Sequence, residues 1–305
     1  MKVVLYIILG IAIIVVGFFV WFFVFFLQVP ELNIPKNSSE KEKIVLIDNW
    51  LEKLNSERKF NGGILITKDG EPTLAKTYGF TNSKKTEKLN NNSSFRLASI
   101  SKQFTACGIM LLKEKELINY DDIVSKYISN FPYDNVTIRN LLNQTSGIPD
   151  SYLGLAEKSK DKIEILTNEK AIKLIVENKP KANFEPNDKY EYSNTNYIAL
   201  ARIIEIVSNQ SFENFMKDNI FIPLRMNDTR VWNLISEDKT FKGKTDGFED
   251  LAGEIREIKP TFVDGVAGDG GVFCSINDFV KWDKFWYENK LISNENLKEA
   301  FKRPT

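Results

Sequence analysis

The pattern of apolar and polar residues predicts helices and strands along most of the chain. The chain carries no charge from Val3 to Leu27. Apolar residues then recur at helical spacing from Ile44, which predicts an amphipathic helix that ends near Lys59. Two alternating segments, residues 62–67 and 74–80, enclose a polar turn and predict a β-hairpin.

The rest of the chain reads as mostly helical. A strongly apolar helix is predicted from Ile100 to Leu112, with Phe104, Cys107, Met110 and Leu111 on one side. A charged, mobile-looking segment covers residues 157–173. Further helices are predicted over residues 121–128, 137–142, 196–207 and 275–286, the last opened by a capping box at Ser275 and Asp278. A hairpin followed by a long helical stretch predicts an α+β domain.

The uncharged N-terminal run predicts a transmembrane anchor over residues 1–28. As a helix, Val3–Leu27 would be about 37 Å long, and the hydrocarbon core of a bilayer is roughly 30 Å thick. A cleaved signal peptide is the alternative, but the run is long and residues 25–30 lack the small residues of a cleavage site. Residues 29–42, with two prolines, are predicted to form a stalk, and residues 43–305 the folded domain. Lysines flank the run on both sides and do not decide its orientation.

Composition narrows the possible chemistry. Apolar residues make up 43% of the chain and charged residues 27%, as in a folded globular protein. The 41 basic and 41 acidic residues balance, so we expect no nucleic-acid partner. The chain has no histidine, which excludes Ser-His-Asp triads and HExxH zinc sites within these residues. The two cysteines, Cys107 and Cys274, are predicted to be small core residues rather than a disulfide.

One Ser-x-x-Lys sequence, Ser99 to Lys102, opens the apolar helix. This spacing places an ammonium group one turn from a hydroxyl, and a lysine in its neutral form could accept the serine proton. The backbone N–H groups at a helix N-terminus could also stabilise an oxyanion. A capping serine beside a surface lysine is the alternative. The same spacing recurs in polar surroundings at Ser38–Lys41, Ser56–Lys59, Ser159–Lys162 and Ser236–Lys239.

The segment around Ser99 resembles a known motif. Phe95 to Ala106 is similar to the first motif of the serine β-lactamase and penicillin-binding-protein superfamily. Leu141 to Pro149 resembles the family's Thr-Ser-Gly loop, and residues 184–187 with Tyr192-Ser193-Asn194 resemble its second motif. The resemblance extends through 221–226 and 270–273 and covers about residues 60 to 290. A Tyr-x-Asn second motif resembles the branch of class C β-lactamases, D-Ala-D-Ala carboxypeptidases and related esterases.

This resemblance implies a fold and a set of roles. The fold is the β-lactamase/transpeptidase-like α+β fold, an antiparallel sheet flanked by helices with a helical subdomain. Ser99 would be the nucleophile, Lys102 and Tyr192 would move its proton, and the Asn194 amide would hold a substrate carbonyl. Lys102 and Tyr192 would titrate as a pair, so either could be the base. The resemblance implies no metal and no cofactor.

The sequence also departs from the family pattern. The third motif, Lys-Thr-Gly or His-x-Gly, should follow the Gly270-Gly271 region, and we find no copy of it. We therefore expect the closing C-terminal strands of the fold to be missing, either because these residues are part of a longer protein or because the chain is a truncated relative. Gln144, Asn187 and Arg225 stand where the family often has His, Gly and Gly, and asparagine tolerates the left-handed conformation of a glycine.

Two functions remain open from the sequence. The first is a membrane-anchored serine hydrolase that forms an acyl-enzyme on Ser99 and acts on a D-alanyl peptide, a D-alanyl ester or a β-lactam. Its substrate would be a small molecule, peptidoglycan or another cell-envelope component. It would lie in the cell membrane with a single span and its domain outside the cytoplasm. The second is a non-catalytic penicillin- or peptidoglycan-binding or sensing module. The sequence does not indicate an oligomeric state.

Overall fold

The protein is described by a computed structural model that covers residues 2–22, 29–159, 162–235, 241–251, 254–288 and 291–302. It divides into two compact units, Met1–Asn61 and Gly62–Thr305. The anchor, stalk and domain limits that the sequence suggested at residues 28 and 42 stay predictions.

The N-terminal unit contains two helices, α1 (Lys2–Trp21) and α2 (Glu40–Ser56). A capping box starts α2, because Ser39 Oγ accepts from the Glu42 N–H and the Glu42 carboxylate accepts from the Ser39 N–H. The amphipathic helix is thus confirmed, although it begins before Ile44. In the segment before α2, the Pro30 carbonyl accepts a hydrogen bond of 2.6 Å from the Trp50 indole N–H.

The transmembrane prediction is not confirmed. Within the described ranges, no helix meets the length and apolarity that crossing a membrane requires. Residues 1 and 23–28 of the predicted anchor lie outside the described residues.

The C-terminal unit combines short antiparallel sheets with helices, which confirms the α+β prediction. Its first sheet is the hairpin of β1 (Gly62–Lys68) and β2 (Glu71–Tyr78), which was also predicted. The remaining strands are β3 (Ser94–Arg96), β4 (Arg230–Val231), β5 (Gly247–Leu251), β6 (Glu254–Ile258) and β7 (Val272–Ser275). Three of them form a sheet of order β3-β7-β4, and β5 pairs with β6 in a second hairpin.

Helix α3 (Lys102–Glu114) is buried along most of its length. On it, Phe104 stacks against Trp282 with ring centroids 4.1 Å apart. Gly108 lets a neighbouring helix approach, because a Cβ there would lie 2.9 Å from Ile204 Cδ1. The other helices are α4 (Ile138–Leu142), α5 (Tyr152–Glu157), α6 (Asn168–Asn178), α7 (Asn194–Ser208), α8 (Phe212–Met216), α9 (Ile276–Glu288) and α10 (Asn294–Ala300).

Two predicted segments differ from the structure. Residues 121–128, predicted as a helix, contain only the short 3-10 turn Val124–Lys126. The segment predicted to be mobile is helical from Asn168 onward, because α6 buries Ala171, Ile172 and Ile175 and is capped by Thr167 Oγ1. Residues 160–161 of that segment lie outside the described residues.

Both cysteines are buried and free, as predicted. Burial raises the pKa of the Cys274 thiol to about 12. These thiols are therefore neutral core side chains in the folded protein.

Candidate active site

Ser99 lies in a 3-10 turn, Ala98–Ser101, between β3 and α3. The sequence had placed it at the start of the α-helix itself. Two hydrogen bonds hold this turn against β7: the Leu97 N–H donates to the Val272 carbonyl over 2.9 Å, and the Val272 N–H donates to Ser101 Oγ over 3.1 Å. Ala98 has a left-handed backbone, with φ of +47°, which directs the chain into the turn. Ser99 itself is exposed.

Lys102 begins α3 and is largely buried, with 8% of its surface exposed. Its Nζ lies 2.8 Å from Asn194 Oδ1 and 2.7 Å from the Asp269 backbone carbonyl, two groups that can only accept hydrogen bonds. Its third polar neighbour is Ser99 Oγ, at 3.4 Å. A neutral amine would donate one hydrogen bond to each of the two carbonyl oxygens and direct its lone pair toward Ser99. An ammonium would donate to all three.

Tyr192 and Asn194 reach the same point from the start of α7. Tyr192 Oη lies 2.8 Å from Ser99 Oγ and 3.2 Å from Asn194 Oδ1. Lys102 Nζ lies 4.9 Å from the centroid of the Tyr192 ring, within the range of a cation–π contact. The structure therefore brings together all four residues that the sequence analysis selected.

Asp150 fixes the orientation of the Asn194 amide. Asn194 Nδ2 donates to Asp150 Oδ2 over 2.9 Å, so the amide oxygen turns toward Lys102. One amide hydrogen is then used by Asp150. The second remains for the role implied by the family resemblance, donation to a substrate carbonyl.

A second carboxylate, that of Asp269, lies behind Lys102. Its Oδ2 accepts from Tyr152 Oη over 3.0 Å. Burial raises the pKa of Asp269, and the positive charge of Lys102 opposes that shift. Burial also raises the pKa of Tyr197, whose ring centroid lies 5.5 Å from Lys102 Nζ, to about 12. Tyr197 therefore lines the site as an uncharged side chain.

With this geometry established, comparison with known proteins gives the family. A family model described as Beta-lactamase matches residues 47–304. The chain belongs to the beta-lactamase family. Its β-lactamase/transpeptidase-like α+β fold is thereby confirmed. One similar structure is the octameric penicillin-binding protein homologue from Pyrococcus abyssi, with a TM-score of 0.70, 28% identity, and coverage of 85% of this chain and 60% of that one.

Curated relatives of this beta-lactamase family member include penicillin-binding proteins. It is 36% identical over 264 residues to Penicillin-binding protein 4* of Bacillus subtilis (strain 168), covering 84% of this chain and 58% of the relative. It is 29% identical to Protein flp of Staphylococcus aureus (strain MW2), covering 82% of this chain and 49% of that protein. The chain thus spans about half to three-fifths of the length of these relatives.

Sequence reasoning missed two carboxylates of this family member's site, Asp150 and Asp269. Asp150 directly follows Thr-Ser-Gly-Ile-Pro, and Asp269 lies in the Gly-rich segment before β7. Proximity to the motif segments was a usable signal for both. Among the described residues, no group of three or more Cys, Asp or Glu side chains could hold a metal ion.

At two of the positions that depart from the family pattern, the backbone has the left-handed conformation that glycine adopts easily. Asn187 and Arg225, which stand where the family often has glycine, have φ of +73° and +55°. The left-handed conformation expected at Asn187 is confirmed. Gln144 also has a left-handed backbone, with φ of +60°.

Proposed function

We propose that the chain belongs to a membrane-anchored serine hydrolase that forms an acyl-enzyme on Ser99. The observation that carries this proposal is the contact of Ser99 Oγ with two proton-transferring groups, Tyr192 Oη at 2.8 Å and Lys102 Nζ at 3.4 Å. A serine hydroxyl is a weak nucleophile, and a neighbouring base activates it by taking its proton during attack.

Tyr192 and Lys102 act as one proton-transferring pair. Either the phenolate of Tyr192 or the neutral amine of Lys102 can take the Ser99 proton, and each group stabilises the other's charge. The carbonyls of Asn194 and Asp269 hold Lys102 Nζ in place, so it faces Ser99 in both protonation states.

The proposed reaction is acyl transfer in two steps. Ser99 Oγ attacks the substrate carbonyl carbon and loses its proton to the pair. The bond from that carbon to the leaving group then breaks, and the leaving nitrogen or oxygen takes the proton through Tyr192 Oη. In the second step water loses a proton to the pair, attacks the acyl-enzyme and releases the acid, and Ser99 regains its proton.

The substrates we propose are D-alanyl peptides, D-alanyl esters or β-lactams, with peptidoglycan or another cell-envelope component as the natural source. The similarity to a protein named as penicillin-binding supports this class. The exposure of Ser99 and of 43% of the Tyr192 surface supports access by a large substrate.

Single-span anchoring in the cell membrane, with the domain outside the cytoplasm, is part of the same proposal. The uncharged run from Val3 to Leu27 supports it, as does the location of the proposed substrates outside the cytoplasm. A reporter fused after Thr305 should be active outside the cytoplasm, and activity confined to the cytoplasm would overturn this part.

Covalent labelling tests the nucleophile. Intact protein treated with a fluorescent penicillin or a fluorophosphonate should gain one adduct, which peptide mapping should place on Ser99. Ser99→Ala should not be labelled. Ser56→Ala is the matched control, because Ser56 and Lys59 have the same spacing in an exposed segment, and it should label like the wild type. Equal labelling of Ser99→Ala and wild type would remove Ser99 as the nucleophile.

A non-catalytic penicillin- or peptidoglycan-binding or sensing module is the second candidate. The observation that favours it is that these residues contain no copy of the third motif. Such a module would form a stable adduct or a reversible complex and release no product. Ser99-dependent hydrolysis of a D-alanyl ester or a β-lactam would eliminate it.

A further inference from the structure

Tyr192 must be placed by something other than the packing of its ring. Tyr192 is 43% exposed, yet its hydroxyl lies 2.8 Å from Ser99 Oγ. An exposed side chain keeps such a position only if the backbone that carries it is fixed. The groups that hold residues 191–193 therefore decide where the Tyr192 hydroxyl lies.

Both neighbours of Tyr192 are bound by one residue, Gln144. The Glu191 N–H donates to the Gln144 backbone carbonyl over 2.9 Å. The Ser193 N–H donates to the Gln144 side-chain oxygen, Oε1, over 3.0 Å. Tyr192 is thus held on both sides by hydrogen bonds to the same residue.

The Gln144 side chain also reaches the first turn of α7. Its Oε1 accepts a second hydrogen bond, 2.6 Å long, from Asn196 Nδ2. An amide oxygen has two lone pairs, so these two donors use its full capacity as an acceptor. Asn196 is bound in addition by Ser146 Oγ, at 2.7 Å from Asn196 Oδ1.

The backbone of Gln144 is itself constrained. It has a left-handed φ of +60°, uncommon for a residue with a side chain, and only 5% of its surface is exposed. Such conformations persist where the surrounding contacts determine them, and they cluster at functional sites. Here the conformation lets a single residue present its backbone carbonyl to Glu191 and its side chain to Ser193.

We propose that Gln144 is a positioning residue for the proposed acyl transfer: it holds the backbone on both sides of Tyr192 and so keeps the Tyr192 hydroxyl within hydrogen-bonding distance of Ser99. Its side-chain oxygen binds Ser193 and Asn196, so it acts through the position of Tyr192. This proposal rests on the proposed function of Ser99, but the position of the Tyr192 hydroxyl can be measured independently of any turnover.

The test compares Gln144→Met with Ser146→Ala in the full chain. Methionine keeps the length of the side chain, and its thioether accepts hydrogen bonds only weakly. Ser146→Ala is the matched control, because Ser146 is also buried and its hydroxyl binds Asn196 on the other side of the Asn196 amide. The first readout is the NMR signal of the Tyr192 ring carbon that bears the hydroxyl, identified among the 10 tyrosines by its loss in Tyr192→Phe. The second is the rate of Ser99 labelling by a fluorophosphonate.

In Gln144→Met we expect the Tyr192 signal to move toward that of an exposed tyrosine and the labelling rate to fall by about 10²-fold, as for a misplacement of about 1 Å. Ser146→Ala should change neither by comparable amounts. The proposal is overturned if Gln144→Met moves the signal no more than Ser146→Ala does. It is also overturned if the signal moves and the labelling rate does not.

Gln144→Asn covers the case in which the methionine variant fails to fold. Its shorter amide stays polar but cannot reach both donors, so the Tyr192 signal should move partway. A wild-type signal in this variant overturns the proposal. If wild-type protein is not labelled at all, the proposed nucleophile fails, and the NMR comparison still decides whether Gln144 places Tyr192.

Discussion

The hydroxyl oxygens of Ser99 and Tyr192 lie 2.8 Å apart, although the two residues are 93 positions apart in the chain. Such a contact between two exposed hydroxyls is expected where a proton passes from one to the other. It gives the first of four predictions, each of which a single substitution can test.

Tyr192→Phe removes the hydroxyl and keeps the ring. We expect the rate of Ser99 acylation to fall about 10²–10⁴-fold, the contribution that a positioned proton-transfer group usually makes. Single-turnover measurement with a chromogenic ester or β-lactam checks it. Tyr190→Phe is the control, because Tyr190 is 66% exposed and lies two residues earlier, and it should react like the wild type. Unchanged acylation in Tyr192→Phe would leave Lys102 as the base.

Asp150→Ala frees the Asn194 amide from the carboxylate that orients it. We expect acylation to slow roughly 10-fold, the equivalent of one lost charged hydrogen bond, because the amide oxygen no longer faces Lys102 reliably. Asp150→Asn keeps an acceptor oxygen at that position and should recover much of the rate. The same single-turnover assay measures both, and equal rates for all three proteins would show that Asp150 does not orient Asn194.

Asp269 should make stability depend on pH. Burial raises the pKa of this carboxyl in the folded state, so the folded protein binds the proton at a higher pH than the unfolded chain does. The buried charge therefore lowers stability above the folded-state pKa, and this cost decreases as the pH falls from that pKa toward the pKa of the unfolded chain.

Asp269→Asn is neutral at every pH and can still accept from Tyr152. Its free energy of unfolding should exceed that of the wild type by more at neutral pH than at mildly acidic pH. Urea unfolding at both pH values checks this, with Asp188→Asn, an exposed aspartate, as the control. A difference from wild type that does not change with pH would contradict the raised pKa of Asp269.

Gly147 is required by the backbone of the Thr-Ser-Gly loop. Its φ is +74°, and a Cβ there would lie 2.1 Å from the Phe184 carbonyl oxygen. Gly147→Ala should therefore lower the free energy of unfolding by at least about 3 kcal/mol.

Gly154→Ala is the matched control for Gly147→Ala. An added Cβ at Gly154 meets nothing within 4 Å, and the residue lies inside α5. This change should stabilise the protein by about 0.5–1 kcal/mol through helix propensity. Thermal or urea unfolding measures both variants, and similar effects of the two substitutions would refute the steric argument.

The residues at the centre of the site were predictable because the segments that contain them resemble short motifs of a known family. Ser99 and Lys102 share a helical turn, and Tyr192 and Asn194 form a short motif before a helix. Asp150 and Asp269 were not predicted, because each acts through contacts with distant residues and neither belongs to a pattern that repeats along the chain. Such contacts depend on tertiary packing. Proximity to the motif segments marks these two positions in the sequence, but it does not identify the residues that they contact.

The helices show the same division. The apolar face of α3 was visible at helical spacing, and that helix was predicted. The helix α6 was missed because charged residues surround its short apolar set of Ala171, Ile172 and Ile175. Other elements of the unit bury this apolar set. The composition of the segment does not reveal them, so the segment was predicted to be mobile.

The carbonyl of Asp269 that binds Lys102 follows it by 167 residues in the chain. A ribosome that adds about 5–20 residues per second needs roughly 10–30 s to cover that distance. During this interval the lysine has emerged, but one of its two fixed acceptors does not yet exist. Assembly of the site therefore waits until residue 269 has been synthesised, and for these seconds the lysine is part of a nascent chain without a formed reactive centre.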